Sequence, residues 1–377
     1  MERLAIAPRS DWREKVEGCG LIWHTGPEAN YWDESACYAF DARDVRRIED
    51  ASRELYAMFL RAGDHVIDNG LLGRFGVPDW CEPLIAEAWA AEPPALNYGR
   101  FDLGYDGQGP PKLFEFNCDT PTSLLEAAVV QWQWKEDCFP GADQFNDLHE
   151  ALVAKWRDIA PHLQGDLVHF AHAADASGED AVTTAYLLDT AQQAGLTAEA
   201  LLMNDIGWAS GRFWDVQNRE IRTLYHLYPW EWIVNEPFGR HLMDNQDRTR
   251  WIEPVWKMMW SNKAILPILW ELNPGHPNLL WATAGEPKSG SFVRKPTLGR
   301  EGANITLIDE GGQAAATGGP YDGGAFICQE LYRLPDYDGR RPVLGSWIVD
   351  GEPAGLGVRE GGAITGNLAG FKPHIVR

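Results

Sequence analysis

Between residues 166 and 203 the chain runs through a short apolar stretch, LVHFAHA, a polar loop, DASGED, a long helical stretch, AVTTAYLLDTAQQAGL, and a second apolar run, TAEALLM. The order reads strand, helix, strand. Two strands joined through a helix lie parallel, because a tight turn closes only an antiparallel pair. A parallel sheet is covered on both faces and opens to ligands at the carboxyl ends of its strands. This unit predicts an α/β (α+β) fold. No GxGxxG follows the first strand, so a dinucleotide site is not expected. Glu179 and Asp180 open the helix, where carboxylates serve either as ordinary capping charges or as ligand groups.

A chain of 377 residues exceeds what one core usually organises, so more than one packing unit is expected. Three are read: residues 1–150, helical and carrying a charged hairpin; 151–240, the α/β unit; and 241–377, rich in short apolar runs and glycine. Residues 40–63 repeat apolar side chains at helical spacing with charges between them, and residues 124–134 and 147–159 read as further helices. Across residues 207–281 tryptophan is dense, with Trp230, Trp232, Trp256 and Trp260 among the examples. Large aromatics fill cores before they stack on ligands, so core packing is the expected role. From Ser289 onward the short runs SFVRKP, AFICQELY and VLGSWIV suggest an antiparallel sheet with loops over a site.

The formal net charge is −22, from 33 basic and 55 acidic residues, and no basic run offsets it. Such a surface repels polyphosphate, so the expected partners are small molecules, with no nucleic acid and no membrane. The amino-terminal stretch MERLAIAPRSDWREKVEGCG interrupts its apolar residues with proline and charge, which does not build a signal-peptide core. The best apolar candidate, residues 264–270, falls far short of the roughly 18 residues that a membrane helix needs. Six cysteines are scattered without a CxxC pair, so reduced thiols and a cytoplasmic location are expected.

The charged hairpin, in RFDLGYDGQGPPKLFEFNCDTPTSLLEA at residues 100–127, holds the first group of chemistry-bearing residues. Two strand-like runs flank the turn DGQGP. Side chains alternate along a strand, so Arg100 and Asp102 share one face and Phe101 and Leu103 the other. On the second strand Glu115 and Asn117 share a face, with Phe114 and Phe116 opposite. Two carboxylates and an amide suit magnesium, which leaves positions for water and phosphate oxygens. An arginine beside them suits an anionic or phosphoryl group. A solvated hairpin face neutralised by its own arginine is the plainer alternative. Asp119, Thr120, Thr122 and Ser123 then crowd the start of a helix whose backbone N–H groups can hold a carboxylate. N-capping by Thr122 or Ser123 competes with that role.

Lys263 in NKAILPILW and Lys295 in SFVRKPTLGREGANI form the second group. The latter joins a strand lysine to a loop in which Gly299 and Gly302 let backbone approach a ligand closely. That is a way to grip ATP phosphates, distinct from the Walker pattern GxxxxGK[ST], which the chain lacks. Glu301, beside phosphate, must turn away or bind a cation. Gln329, Glu330, Leu331 and Tyr332 end the strand AFICQELY and can offer backbone groups to an adenine edge, as any strand end can. GLGVREG sets Arg359 in a glycine-rich turn.

In this order, RFDLGYDG with PKLFEFNCDTPTSLLEA, NKAILPILW, VRKPTLGREGANI and GLGVREG resemble the synthetase domain of the glutathionylspermidine synthase family, short form, within the ATP-grasp superfamily. The resemblance covers nearly the whole chain. It implies an ATP-grasp fold with a preceding Rossmann-like α/β domain and rearranged connectivity. Residues 241–377 would be the nucleotide-binding region with its glycine-rich lid loop, 151–240 the substrate side, and the hairpin within 1–150 part of the ATP-grasp core. Position by position, the resemblance implies Mg2+ ligation by Asp102, Glu115 and Asn117. It implies ATP contacts from Lys263, Lys295, Gly299 and Gly302, with Gln329, Glu330, Leu331 and Tyr332 beside adenine. Arg100 and Arg359 would stabilise charge at the reacting carbonyl, Arg100 and Thr120 would meet the acid substrate, and Glu179 and Asp180 are the candidate carboxylates for an amine.

The implied reaction activates a small peptide-like carboxylate as an acyl phosphate and passes it to an amine, a polyamine among the candidates. Mg2+, lysines and arginines achieve this by positioning and charge neutralisation. Cys118, with no histidine placed to activate it, is not expected to act as a nucleophile. The first motif begins at Arg100, which leaves no room before it for the amidase domain of bifunctional relatives, so hydrolysis of the product is not expected. Leu227 is apolar where the family carries a polar, peptide-contacting residue, so glutathione need not be the acid. Two other classes stay open: an ATP-binding accessory or regulatory protein without ligase activity, and an acid–base hydrolase using Asp102 and Glu115. The paired arginines argue against the first, and the two lysine segments against the second.

Overall fold

The computed structural model describes residues 1–26, 29–245, 248–287, 289–321, 323–366 and 369–377. Strands Gly99–Gly104 and Lys112–Asn117 form the charged hairpin, with Arg100 opposite Asn117 and Asp102 opposite Glu115. A lone hairpin is marginal in water. Here Gly99–Gly104 also pairs with Arg341–Val349, and Glu352–Gly361 and Gly370–Lys372 complete a five-stranded antiparallel sheet. Segments far apart in the chain thus share one sheet.

The register slips after Asp102, so that Leu103 pairs with Leu113 and Phe114 is left over. This bulge corrects the expected alternation. A bulged residue is re-aimed: Leu113 and Phe116 stay in the core, while Phe114 joins Glu115 on the side that lines a cavity. Behind the sheet the rings of Phe101 and Phe116 stack at 3.9 Å, and Phe59 packs on both. Burying each such ring contributes about 1.5–3 kcal/mol.

Phe59 belongs to the helix Ala42–Asp68, the element predicted at 40–63. Asp41 and Asp44 cap it reciprocally, and Ile48, Leu55, Phe59, Ala62 and Val66 bury one face at helical spacing. The helix predicted at 147–159 spans Leu148–Ile159. The one predicted at 124–134 continues to Cys138, and its turn Glu126–Val130 is π-helical.

The strand–helix–strand unit is Val168–His172, Glu179–Gln193 and Ala198–Leu202. Its four-stranded sheet is parallel, ordered Arg250–Ile252, Thr223–Leu227, Val168–His172, Ala198–Leu202, so its outermost strand lies past residue 240. One face packs Phe170 and Tyr225 with Leu187 and Ala191 of the helix; the other is covered by Phe213 of the small hairpin Gly207–Ala209 and Arg212–Trp214.

A second antiparallel sheet runs Ala282–Ala284, Phe326–Glu330, Phe292–Pro296, Thr306–Asp309, Gly312–Ala316. Trp230, Trp256 and Trp260 are buried, as core packing predicts, whereas Trp232 is 45% exposed. Among the described residues no helix is long and apolar enough to cross a membrane.

Candidate active site

Both antiparallel sheets and the loops between them line one cavity of about 230 Å³. It gathers Arg100, Asp102, Glu115, Asn117 and Thr120 from the hairpin segment, and Lys263, Lys295, Gly299 and Gly302 from the lysine segments. Gln329, Glu330, Leu331, Tyr332 and Arg359 complete the expected set. Glu179 and Asp180 do not line this cavity and lie at its border, where Glu301 and Arg359 act on Glu179.

Cross-strand pairing explains the hairpin's geometry. Asn117 Nδ2 donates to Asp102 Oδ2 at 3.2 Å and to Glu115 Oε1 at 3.3 Å, which ties both carboxylates together. Arg100 donates from Nε and Nη2 to Asp102 at 2.6 and 3.1 Å, and from Nη1 to the Thr122 carbonyl at 2.5 Å. A Cβ at Gly345 would stand 2.6 Å from the Arg100 side chain, so glycine makes room for this arginine.

Lys263 Nζ lies 2.9 Å from Glu115 Oε2 and donates to the Gly299 carbonyl at 2.6 Å. Burial alone would raise the Glu115 carboxyl, but Lys263 and Lys295 outweigh it and bring it to about 2. Two carboxylates and an amide are the donor types that suit magnesium, which takes few protein ligands and keeps positions for water and phosphate. Among the described residues no group of three or more His, Cys, Asp or Glu could hold a metal ion. The Asn117 amide points its nitrogen at the carboxylates, so ligation through oxygen requires it to turn.

Lys295, on the strand Phe292–Pro296, donates to Gln329 Oε1 at 2.7 Å and to the Phe114 carbonyl at 3.2 Å. Burial brings its ammonium down to about 8, with Glu115 and Lys263 acting in opposite directions. Gln329 passes the contact on, donating to the Leu113 carbonyl at 2.9 Å. Its side chain therefore fixes the lysine and joins the two sheets. The N–H groups of Glu330 and Leu331 are engaged with the carbonyls of Trp281 and Ser291, which leaves other groups of this strand end for an adenine edge.

Gly302 has φ +70°, and a Cβ there would lie 2.5 Å from the Thr365 carbonyl oxygen, so the loop requires glycine at this point. Glu301 is exposed and stands at the cavity lining. Sequence reasoning did not assign Arg300. It sits between the two lid glycines, and its guanidinium pairs with Glu231 at 2.7 Å, donates to Thr120 Oγ1 at 3.1 Å and lies 5.5 Å from the Trp232 ring centre. Asp119, also unassigned, is buried beside it: Oδ2 accepts the Trp230 N–H at 2.8 Å, and Oδ1 has no partner among the described residues. Burial and Glu231 push its carboxyl up to about 8.

Arg359, on the strand Glu352–Gly361, donates from Nη2 to the Gly366 carbonyl at 2.7 Å. The helix that Glu179 opens is capped instead by Asp175 Oδ2 and Ser177 Oγ, which accept the Glu179 N–H at 3.0 and 3.2 Å. The carboxylates of Glu179 and Asp180 are thus not its caps. Burial, then Glu126, raises Glu179 to about 8; burial, then Asp175, raises Asp180 to about 6. Ser123 does not cap either, since its hydroxyl shares a 2.9 Å hydrogen bond with that of Tyr31. The Cys118 thiol is buried and pushed up to about 12, which leaves it inert. Leu227 is buried in the core of the parallel sheet, away from the cavity lining.

The family model "Glutathionylspermidine synthase preATP-grasp" matches residues 3–377. The "Putative acid--amine ligase" of Haemophilus influenzae is 39% identical over 393 residues, covering 99% of both chains. Trypanothione synthetase of Crithidia fasciculata is 28% identical over 84% of this chain and 52% of its own. The bifunctional glutathionylspermidine synthetase/amidase of Escherichia coli is 28% identical over 82% of this chain and 54% of its own, so the chain spans about half the length of these two relatives. A glutathione synthetase-like effector of Globodera pallida shares the fold, with TM-score 0.63 over 97% of this chain and 96% of that one at 10% identity. The ordered motifs, the two lysines over one cavity and these matches agree: the chain belongs to the glutathionylspermidine synthase family of ATP-grasp proteins, ATP-dependent carbon–nitrogen ligases.

Proposed function

We propose that this ligase joins a small peptide-like or amino-acid-like carboxylate to an amine through an acyl phosphate, with ATP and Mg2+. One observation carries the reading. In a chain of net charge −22, Arg100, Lys263, Lys295 and Arg359 converge on a single cavity together with Asp102, Glu115 and Asn117. Their conjunction suits a small polyanion held with a divalent cation.

Magnesium, bound by Asp102, Glu115 and Asn117, would supply charge neutralisation at phosphate oxygens. The lysines add fixed positive charge on the same side, and the glycine lid brings backbone close while excluding water. Arg100 is oriented by Asp102 and the Thr122 carbonyl, so its guanidinium is preorganised beside the acid-substrate position near Thr120. Arg359 stabilises the same developing charge from a strand of the same sheet, one strand removed from that of Arg100. Glu179 and Asp180, freed from capping, receive the positive charge of the amine. The six free thiols and acidic surface fit a cytoplasmic enzyme acting on small molecules.

The test is incubation with ATP, Mg2+ and pooled small acids and amines, followed by mass spectrometry. Release of ADP and phosphate is expected to require both substrates and to yield a condensed amide. A protein that binds no ATP in the presence of Mg2+ would refute the reading.

A further inference from the structure

The strand Lys112–Asn117 lies at the edge of its sheet, and the two residues that follow it, Cys118 and Asp119, are buried. A buried backbone N–H must find an acceptor. One hydroxyl serves both: Ser261 Oγ accepts the Cys118 N–H at 3.1 Å and the Asp119 N–H at 2.9 Å. The Cys118 thiol lies 3.4 Å from the same oxygen. The Asp119 side chain reaches away from that contact, its Oδ2 accepting the Trp230 N–H at 2.8 Å. Thr120 therefore follows a residue that one segment holds by its backbone and another by its carboxylate.

Ser261 is itself firmly placed. It ends the helix Lys257–Ser261, whose Trp260 is buried with its ring 5.7 Å from that of Phe59 and 6.0 Å from that of Phe116. At the start of the same helix the buried Lys257 ammonium pairs with Glu253 at 3.2 Å. Just beyond it Asn262 Nδ2 donates to the Phe75 carbonyl at 2.9 Å, and Asn262 Oδ1 accepts the Ala264 N–H at 2.9 Å. The Lys263 N–H donates to the Thr297 carbonyl at 2.9 Å. The backbone is thus pinned on both sides of Lys263, and Ser261 carries that fixed frame across to residues 118 and 119. Ser261 and Asp119 both line the cavity that holds Thr120 and Lys263.

We infer that Ser261 is a positioning residue of this ligase and that Asp119 completes its bracket, so that Thr120, and with it the acid substrate, is held at a set place relative to Lys263 and the phosphate. This rests on the ligase reading above. Ser261 has no need to ionise or to meet the reacting atoms; its two accepted hydrogen bonds fix the backbone on which the acid-side threonine stands. A reacting group is only as well placed as the shell behind it. A misplacement of about 1 Å costs about 10²-fold in rate.

Ser261→Ala and Ser261→Thr test the assignment, with the pooled small acids and amines, ATP and Mg2+ of the ligase assay as the probe. The alanine variant is expected to need a higher concentration of the acid pool for half-saturation and to lose up to about 100-fold in amide formation at low acid, while half-saturation by ATP and by the amine pool stays unchanged. Ser261→Thr, which keeps the oxygen, restores most of the loss. Without turnover, hydrogen exchange at residues 118–120 is expected to be about tenfold faster in Ser261→Ala, as the loss of one hydrogen bond produces. Should that variant fail to fold, Asp119→Asn, which keeps an acceptor for the Trp230 N–H, is expected to saturate with acid as the native protein does, and Asp119→Ala to require more. Unchanged exchange and acid saturation in Ser261→Ala, losses shared equally by acid and ATP, a threonine variant no better than alanine, or Asp119→Asn as harmful as Asp119→Ala each overturn the proposal. Faster exchange at residues 118–120 in Ser261→Ala, with no amide product from the native protein, would sink the ligase reading and leave the bracket standing.

Discussion

Glu115 Oε2 lies 2.9 Å from Lys263 Nζ, so the carboxylate assigned to a metal and the lysine assigned to phosphate neutralise each other in the free protein. Loading the site means exchanging partners. Lys263→Ala is therefore expected to act in opposite directions on the two ligands. ATP affinity falls about tenfold or more with the loss of a charged contact, while Mn2+ affinity measured without nucleotide rises, because Glu115 is released. Calorimetry for the nucleotide and an electron paramagnetic resonance titration for Mn2+ check this; parallel loss of both would contradict it.

Arg100 contacts Asp102 and the Thr122 carbonyl, and in the proposed reaction it meets the acid substrate. Arg100→Ala is expected to lower turnover by about 10²- to 10³-fold, the cost of losing one preorganised charge-stabilising donor, with nucleotide affinity little changed. Arg100→Lys rescues little, since a point charge cannot hold Asp102 bidentately. A variant that loses its fold would assign this arginine to structure instead.

Burial brings Lys295 down to about 8, against about 10.4 for a free lysine. Phosphate needs the ammonium. Nucleotide affinity is expected to fall above pH 8, by up to about tenfold per pH unit as binding comes to require proton uptake. Lys295→Arg flattens that profile, because a guanidinium stays charged. For folding stability the sign is opposite. The native state holds this proton less tightly than the unfolded chain, so the unfavourable contribution is full below about pH 8 and is relieved towards about pH 10.4.

Arg300 fastens the glycine-flanked loop, the proposed lid, to Glu231 and Thr120. Arg300→Ala is expected to speed hydrogen exchange at residues 298–304 and to lower kcat/KM by up to about 100-fold, as misplacement of a closing element does. Unchanged exchange in the lid would show that Glu231 does not hold it.

The hairpin's reacting face was legible because alternation along a strand is a local property: Arg100, Asp102, Glu115 and Asn117 follow from spacing alone. Phe114 broke that rule, since the register slip after Asp102 arises between strands and not within one. Arg300 lay in a motif already singled out, yet its role depends on Glu231, 69 residues away. Glu126 looked like one more helical residue until the fold bonded it to Trp23, 103 residues distant, and brought its charge to bear on Glu179.

By itself the sequence determined the parallel unit, the hairpin, the strand lysine with its glycine loop, and through the ordered motifs the family. Only the tertiary structure decided which charges meet: Lys263 with Glu115, Arg300 with Glu231, and Glu126 with Glu179. The physical reason is that periodicity and turn chemistry are written in neighbouring residues. Burial, pairing and the resulting shifts in ionisation are set by groups that become neighbours only when the chain folds.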